Sequence, residues 1–299
     1  MDAISQLLDL ARVQARLDKR CLLAGTTVMD VPAYGDAESA FHFLLDGECT
    51  LEAGGKNYAL KAGDAVLLPS SPPHRIRTAG AGRAQGVVET HGDFFDTIRS
   101  DSAGDGVIDL FCGHYTFGSR AGVLLVRSLP DPLVVSFGEG GDMVRTMSGL
   151  MRQEALAEGP GTSAILSSIC TALLAMVLRQ STGRPAETPL WTAVDDKRIA
   201  LVIDAVLRDP GADWSIERLA GIAALARATF LRRFVKNTGT TVGAFLSNVR
   251  MMAAADLLAD REVTVAAVAS KVGYHSESAF ARAFQEAVGT TPGRFRRTL

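Results

Sequence analysis

Phe230-Leu231-Arg232-Arg233-Phe234, followed by Gly239-Thr240-Thr241-Val242-Gly243-Ala244-Phe245, returns fifty positions on (230 to 280) as Phe280-Ala281-Arg282-Ala283-Phe284 and Gly289-Thr290-Thr291-Pro292-Gly293-Arg294-Phe295. The shared phenylalanines, arginines, glycines and threonines hold one register, which chance does not produce. Ahead of each copy lies a short apolar-periodic stretch: Ile216, Leu219 and Ala220 in the first, Val265, Val268 and Ala269 in the second. A tight turn follows, then an arginine-bearing helical segment, 227–237 in one copy and 276–288 in the other. Two repeats are too few to stack as a solenoid, so the pattern describes one helix-turn-helix unit used twice.

Between the copies, Phe245, Leu246, Val249, Met252, Ala253, Leu257 and Leu258 recur at helical spacing over 241–258. A helix of that length is a strut of about 27 Å, against roughly 34 Å between successive major grooves on one face of B-DNA. One chain is therefore expected to hold two reading helices near groove spacing without a dimer. Over 196–299 the sequence resembles the AraC family of transcription regulators. The likeness is carried by Val272-Gly273-Tyr274, Phe280-Ala281-Arg282-Ala283-Phe284 and Thr291-Pro292-Gly293-Arg294-Phe295-Arg296-Arg297. It implies double-stranded promoter DNA as a partner, and RNA polymerase as well for an activator. The expected DNA-facing residues are Thr229, Arg232 and Arg233 in the first copy and Ser276, Glu277, Ser278 and Arg282 in the second. Arginine forks suit both phosphates and guanine edges. The first copy departs from the pattern, with Ala224 where the turn glycine (Gly273) belongs and Ala226 where the capping serine (Ser276) belongs.

Charge divides the chain in the same place. From Lys197 onward 15 Lys and Arg face 9 Asp and Glu, a net +6, so the rest carries −8 of the total −2. A basic reader is joined to an acidic partner domain. Cys21, Cys49, Cys112 and Cys170 show no C-x-x-C spacing, which argues against zinc fingers and a disulfide framework. With no signal-peptide layout and no membrane-length run free of polar residues, a cytoplasmic protein without membrane contact is expected.

The front half reads as short strands between turns. Met1 to Leu10 forms an amphipathic helix, and strand-like runs cover 21–31, 41–45, 49–53, 57–60, 65–68, 84–90 and 122–129. Gly54-Gly55 signals a hairpin, and Ala62-Gly63-Asp64 and 69–73 are turn clusters. Many short strands with glycine turns imply a small closed barrel or jelly roll. The stretch 41–77 resembles the cupin sensor domains attached to AraC-type regulators, through His42, Asp46-Gly47, Ala62-Gly63-Asp64, Leu67-Leu68-Pro69 and Pro73-His74; Cys112-Gly113 is a further point of likeness. Cupin enzymes pair two histidines two apart with a glutamate and a distant histidine. Here His42 and Glu48 have the spacing, Leu44 replaces the second histidine, and His74, Cys112 or His114 would have to complete the set. No metal and no cofactor are expected, and a metal-dependent cupin enzyme is the alternative of another class.

Two helices, 142–158 and Thr162–Gln180, join barrel to reader and are broken by Gly159-Pro160-Gly161. The second is apolar over most of its circumference, as a core helix or a homodimer face would be. The overall expectation is an α+β chain: a cupin-like β-barrel over 1–141, a helical connector and linker over 142–195, and an all-α tandem helix-turn-helix domain over 196–299.

Arg12, Arg16 and Arg20 recur at intervals of four, which aligns them on one face of a helix or a strand. With Asp30 and Gly35 they resemble the Arg-x-x-x-Arg and later Asp/Asn-x-Ser-x-x-Gly pattern of PilZ domains, with Pro32 in place of the serine. That resemblance implies a cyclic di-GMP effector held at the barrel edge, a likeness of site without a likeness of domain. A small organic effector inside the barrel mouth is the alternative.

Overall fold

The computed structural model describes residues 3–35, 37–80, 86–100, 108–117, 126, 129–137, 142–157, 159–180 and 196–297. The chain forms two compact units: Gln14–Thr116 with Asp131–Gln180, and Met1–Val13 with Phe117–Pro130 and Ser181–Leu299.

The first unit is a β-sandwich. Its strands are β1 (Val13–Leu23), β2 (Val28–Val31), β3 (Glu38–Asp46), β4 (Glu48–Ala53), β5 (Lys56–Lys61), β6 (Asp64–Leu68), β7 (His74–Arg77), β8 (Val87–Thr90), β9 (Asp96–Ser100), β10 (Ile108–Phe117) and β11 (Leu133–Ser136). They form a seven-stranded sheet in the order β11-β6-β3-β10-β1-β9-β8 and a four-stranded sheet in the order β2-β7-β4-β5. Side chains from both sheets, among them Cys21, Leu44, Leu51, Leu68, Ile76 and Leu110, meet in one core. β2, β4 and β7 alternate between buried and exposed positions, as half-covered strands do, whereas β6 is buried at every position. The second cover of the larger sheet is helical. Helices α2 (Asp142–Ala157) and α3 (Thr162–Gln180) pack together, and α3 buries Leu166, Ile169, Cys170, Leu173, Leu174, Val177 and Leu178. The Tyr115 hydroxyl donates to the Cys170 carbonyl and the Ser167 hydroxyl to the Ala15 carbonyl, which ties α3 to β10 and β1. Leu173 and Leu174 are thus core residues within their own unit.

Several strand expectations change. The run 21–31 breaks at Ala24–Thr27, where the buried Thr27 N–H donates to the Thr78 hydroxyl and the chain reverses between β1 and β2. β7, β9, β10 and β11 lie outside the runs marked by turn residues. Of the run 84–90, β8 starts at Val87, and 122–129 falls outside the described residues apart from Val126 and Leu129.

The second unit is helical: α1 (Ala3–Ala11), α4 (Lys197–Arg208), α5 (Ile216–Ile222), α6 (Arg227–Thr238), α7 (Val242–Ala259), α8 (Val265–Lys271), α9 (Glu277–Val288) and α10 (Pro292–Arg297). α1 packs on α4 and α7, burying Leu7 and Ala11 completely, within the second compact unit. By length and composition α3 and α7 could each cross a membrane. Their apolar side chains instead fill the cores just described.

Candidate nucleic-acid interface and barrel cavity

Each head is a short helix, a turn and an exposed helix standing on phenylalanines. In the first, Phe230, Phe234 and Phe245 pack tilted to edge-on-face with centroids 5.7 and 5.6 Å apart; in the second, Phe280, Phe284 and Phe295 do so at 5.6 and 5.4 Å. All six are buried, so the repeated aromatics are scaffold. α6 and α9 both end on a left-handed glycine, Gly239 and Gly289. The Ser276 hydroxyl caps α9 by accepting from the Ala279 N–H and sits 2.8 Å from the Ser278 hydroxyl. α6 starts at Ala226 without a side-chain cap, and Ala224 carries φ 49° where Gly273 has 80°.

The exposed faces carry the expected residues. Arg232 on α6 and Arg282 on α9 are exposed, as are Ser276, Glu277 and Ser278, while Thr229 is half-buried. Arg233 is exposed but committed: its guanidinium pairs with Asp196, the N-cap of α4, at 3.2 Å. Arg227 pairs with Glu217. Arg250 is a strut that donates to the Pro210 and Ala212 carbonyls and braces the loop before α5.

In the sandwich unit the expected arginine face does not form. Arg12 is the turn residue after α1, with φ 46°, in the helical unit, where it pairs with Asp256 at 2.5 Å. Arg16 and Arg20 lie on β1. Arg20 is buried and donates Nε and Nη2 to the two oxygens of Asp109, at 3.1 and 3.0 Å, with its guanidinium 5.6 Å from the Phe111 ring centroid. Arg16 is the most exposed of the three: its side chain is 75% exposed and meets Asp18 at 3.6 Å. Asp30 pairs with Arg75 at 2.6 Å, and the Gly35 N–H donates to Glu38.

The histidines form a chain rather than a ligand set. His42 Nδ1 lies 3.1 Å from Cys112 Sγ, His42 Nε2 lies 2.7 Å from His74 Nε2, and His74 Nδ1 lies 2.8 Å from the Pro72 carbonyl. One set of tautomers satisfies it: Cys112 S–H donates to His42, His42 Nε2–H to His74, and His74 Nδ1–H to the carbonyl. Burial, with His74 alongside, pushes His42 well below the usual histidine range, and burial lowers His74. Two nitrogens on a tetrahedral metal at about 2.0–2.1 Å sit roughly 3.3 Å apart, which the direct 2.7 Å contact leaves no room for. Glu48 is exposed on β4, and His114 is turned to Asp18 at 2.7 Å. Among the described residues no group of three or more His, Cys, Asp or Glu is placed to hold a metal ion. The residues do not fit a cupin metal.

Beside this chain, Asp18, Met29, Val31, Tyr34, Ile98 and Cys112 line a cavity of about 270 Å³ at the edge of the sandwich. The spacing of charges and turns did not point to it; His42 and Cys112 face each other because β3 and β10 pair in register there.

A β-sandwich sensor and a basic two-headed reader in one chain define a one-component transcription regulator. Residues 2–182 match the family model described as Cupin, and 219–298 match the model described as Helix-turn-helix domain. The chain is 30% identical over 301 residues to an uncharacterized HTH-type transcriptional regulator of Haemophilus influenzae, covering 100% of this chain and 99% of that one. It is also 30% identical over 301 residues to the RCS-specific HTH-type transcriptional activator RclR of Escherichia coli, covering 99% and 97%. It is 29% identical over 304 residues to a putative AraC-like transcription regulator of Streptomyces lividans, covering 99% and 98%. The chain belongs to the AraC family of HTH-type transcriptional regulators with an N-terminal cupin domain; it is a DNA-binding regulator and not an enzyme. The stretch from Arg12 to Gly35 lies inside the residues that match the Cupin model.

Proposed function

We propose that this regulator reads promoter DNA in the cytoplasm with α6 and α9 and takes a small, mainly apolar effector in the cavity at the sandwich edge. The observation behind the effector reading is that cavity: apolar walls from Met29, Val31 and Ile98, with the Tyr34 hydroxyl, which donates to Asp18, as its polar group. Sites of that kind are mostly apolar with a few fixed polar groups. Arg232 and Arg282 are the reading arginines, each presented from a helix whose opposite face is buried. A homodimer would use the exposed apolar side chains of α2 and α3, Leu150, Leu156 and Ile165, and an activator would contact RNA polymerase.

The test starts from an operator selected out of random duplexes by the full chain. Arg282→Ala is expected to lower operator affinity about 5- to 100-fold, with discrimination against random duplex lost in proportion. Unchanged affinity and an unchanged salt slope in both Arg282→Ala and Arg232→Ala would overturn the placement of the reading helices. For the effector, Ile98→Trp fills the cavity, and the expected result is a regulator that binds operator but no longer responds to inducing extracts of apolar metabolites.

A second reading rests on another cavity in the sandwich unit, of about 880 Å³, lined by Arg16, Glu38, Phe94, His114 and Ser163. Its size and the exposed Arg16 guanidinium favour an anionic nucleotide such as cyclic di-GMP. Calorimetric titration with cyclic di-GMP, giving heat that Arg16→Ala removes, is the result this reading requires.

A further inference from the structure

Both heads pack on α7, which sets their separation; their relative twist depends on what else joins them. Arg250 stands midway along α7. Its Nε donates to the Pro210 carbonyl at 2.9 Å and its Nη2 to the Ala212 carbonyl at 3.0 Å, both in the loop that leads into the first head. The same guanidinium also meets the second head. Its Cζ lies 5.8 Å from the Tyr274 ring centroid, and a Cβ on Gly273 would come within 2.6 Å of Nη2. The loop and the turn touch directly as well. A Cβ on Gly211 would lie 2.0 Å from the Lys271 carbonyl oxygen, and one on Gly273 would lie 2.7 Å from the Gly211 carbonyl oxygen. Neither glycine can take a methyl group unless the two segments part.

The repeat supplies a contrast. In the second head Arg296 donates Nε to the Leu258 carbonyl at 3.3 Å and Nη2 to the Val263 carbonyl at 2.5 Å. Those bonds tie that head to its own entry segment. Arg250 instead joins the entry loop of one head to the turn of the other. Arginine suits such a joint, because its planar fork holds two carbonyls in fixed geometry while its face lies near a ring. Lysine, a single point charge on a flexible stem, cannot hold all three partners at once.

We propose that Arg250 is a specificity-determining residue for operator spacing: with Gly211 and Gly273 it locks the two heads at one twist, so that the protein selects sites by the number of base pairs between the two contacted grooves. This deepens the proposed reading of DNA by α6 and α9 and rests on it. Each base pair inserted between the grooves moves the far site by about 3.4 Å and turns it by roughly 35°. Joined heads follow that change only by breaking the guanidinium contacts or by deforming the duplex. Heads released from the joint follow it by turning.

The experiment has one arm without DNA and one with it, both on the full chain. For the first, nitroxide labels are placed at Lys236→Cys on α6 and Glu286→Cys on α9, two exposed positions; the four native cysteines are buried. Pulsed electron resonance should give one narrow distance in the parent chain and a distribution at least twice as wide in Arg250→Gln, with Arg250→Lys in between. Circular dichroism fixes a temperature at which every variant is folded. Should Arg250→Gln not fold, Gly211→Ala carries the test, since it wedges the joint apart with Arg250 in place; the distance should then shift or broaden. For the second arm, the selected operator is footprinted and one base pair is added or removed between the contacted grooves. The wild type should lose at least tenfold in affinity on either change. Arg250→Gln should lose less than threefold, while matching the wild type within about twofold on a duplex carrying one contacted groove alone. An unchanged distance distribution overturns the joint, and a spacing profile parallel to that of the wild type overturns its role in specificity. Failure of the reading helices shows separately, as unchanged operator affinity in Arg232→Ala and Arg282→Ala, whereas the label distances need no DNA.

Discussion

The two heads share their phenylalanine scaffold and differ in their turns. The second is built to rule: Gly273 at φ 80°, a serine cap on α9, and a tight neighbourhood in which a Cβ on Gly273 would lie 2.6 Å from Arg250 Nη2 and 2.7 Å from the Gly211 carbonyl oxygen. The first makes the same turn with alanine at φ 49° and opens α6 without a cap. It is also one residue shorter, since α5 ends at Ile222 with the next N-cap at Ala226, whereas α8 ends at Lys271 with the next N-cap at Ser276. A left-handed alanine costs about 1–2 kcal/mol and a missing cap about 1 kcal/mol. Heads on a shared phenylalanine scaffold are therefore expected to differ in local stability, the first opening more readily than the second.

The largest test of that contrast is Gly273→Ala, which imposes on the second head both the strain already borne by the first and an overlap with fixed backbone. Thermal denaturation of the full chain should show a loss of about 3 kcal/mol; a loss under about 0.5 kcal/mol would mean the turns are equivalent. Next comes DNA. If the second head anchors base reading, Arg282→Ala should cost about 2 kcal/mol on a selected operator and Arg232→Ala about 1 kcal/mol, measured by anisotropy across a salt series. The reverse order would make the looser head the reader. The smallest effects come from repairing the first head. Ala224→Gly and Ala226→Ser should each stabilise α5–α6 by about 1 kcal/mol. Hydrogen exchange of α6 amides should then slow toward that of α9 while α9 itself is unchanged.

Much of the reader was legible because its information is local. The phenylalanine register, the cap residues and the turn glycine each act within a few positions, and α7 has the length its apolar spacing called for. The break at Gly159-Pro160-Gly161 was legible for the same reason. The sandwich was harder, since strand pairing is set across long separations. Parallel pairing of β1 with β9, Lys19 against Asp96, leaves no mark in a run of residues. Spacing alone also misled at Arg12, Arg16 and Arg20: the four-residue interval is real, but α1 ends at Ala11, Arg12 is the turn, a strand begins at Val13, and Arg20 is consumed by Asp109, far away in sequence. The His42–Cys112 and His42–His74 contacts were invisible because only the closed sandwich brings them together.

α7 spans Val242–Ala259, 18 residues, and so holds the heads on a rod of about 27 Å. Successive major grooves lie about 34 Å apart on straight DNA. A duplex that accommodates both heads is favoured to curve toward the rod, and bending stiffness depends on the base steps between the two grooves. Bases that no side chain touches thereby enter the choice of site: the stretch between the two contacted grooves is weighed for pliability, with flexible pyrimidine–purine steps there favoured over stiff tracts.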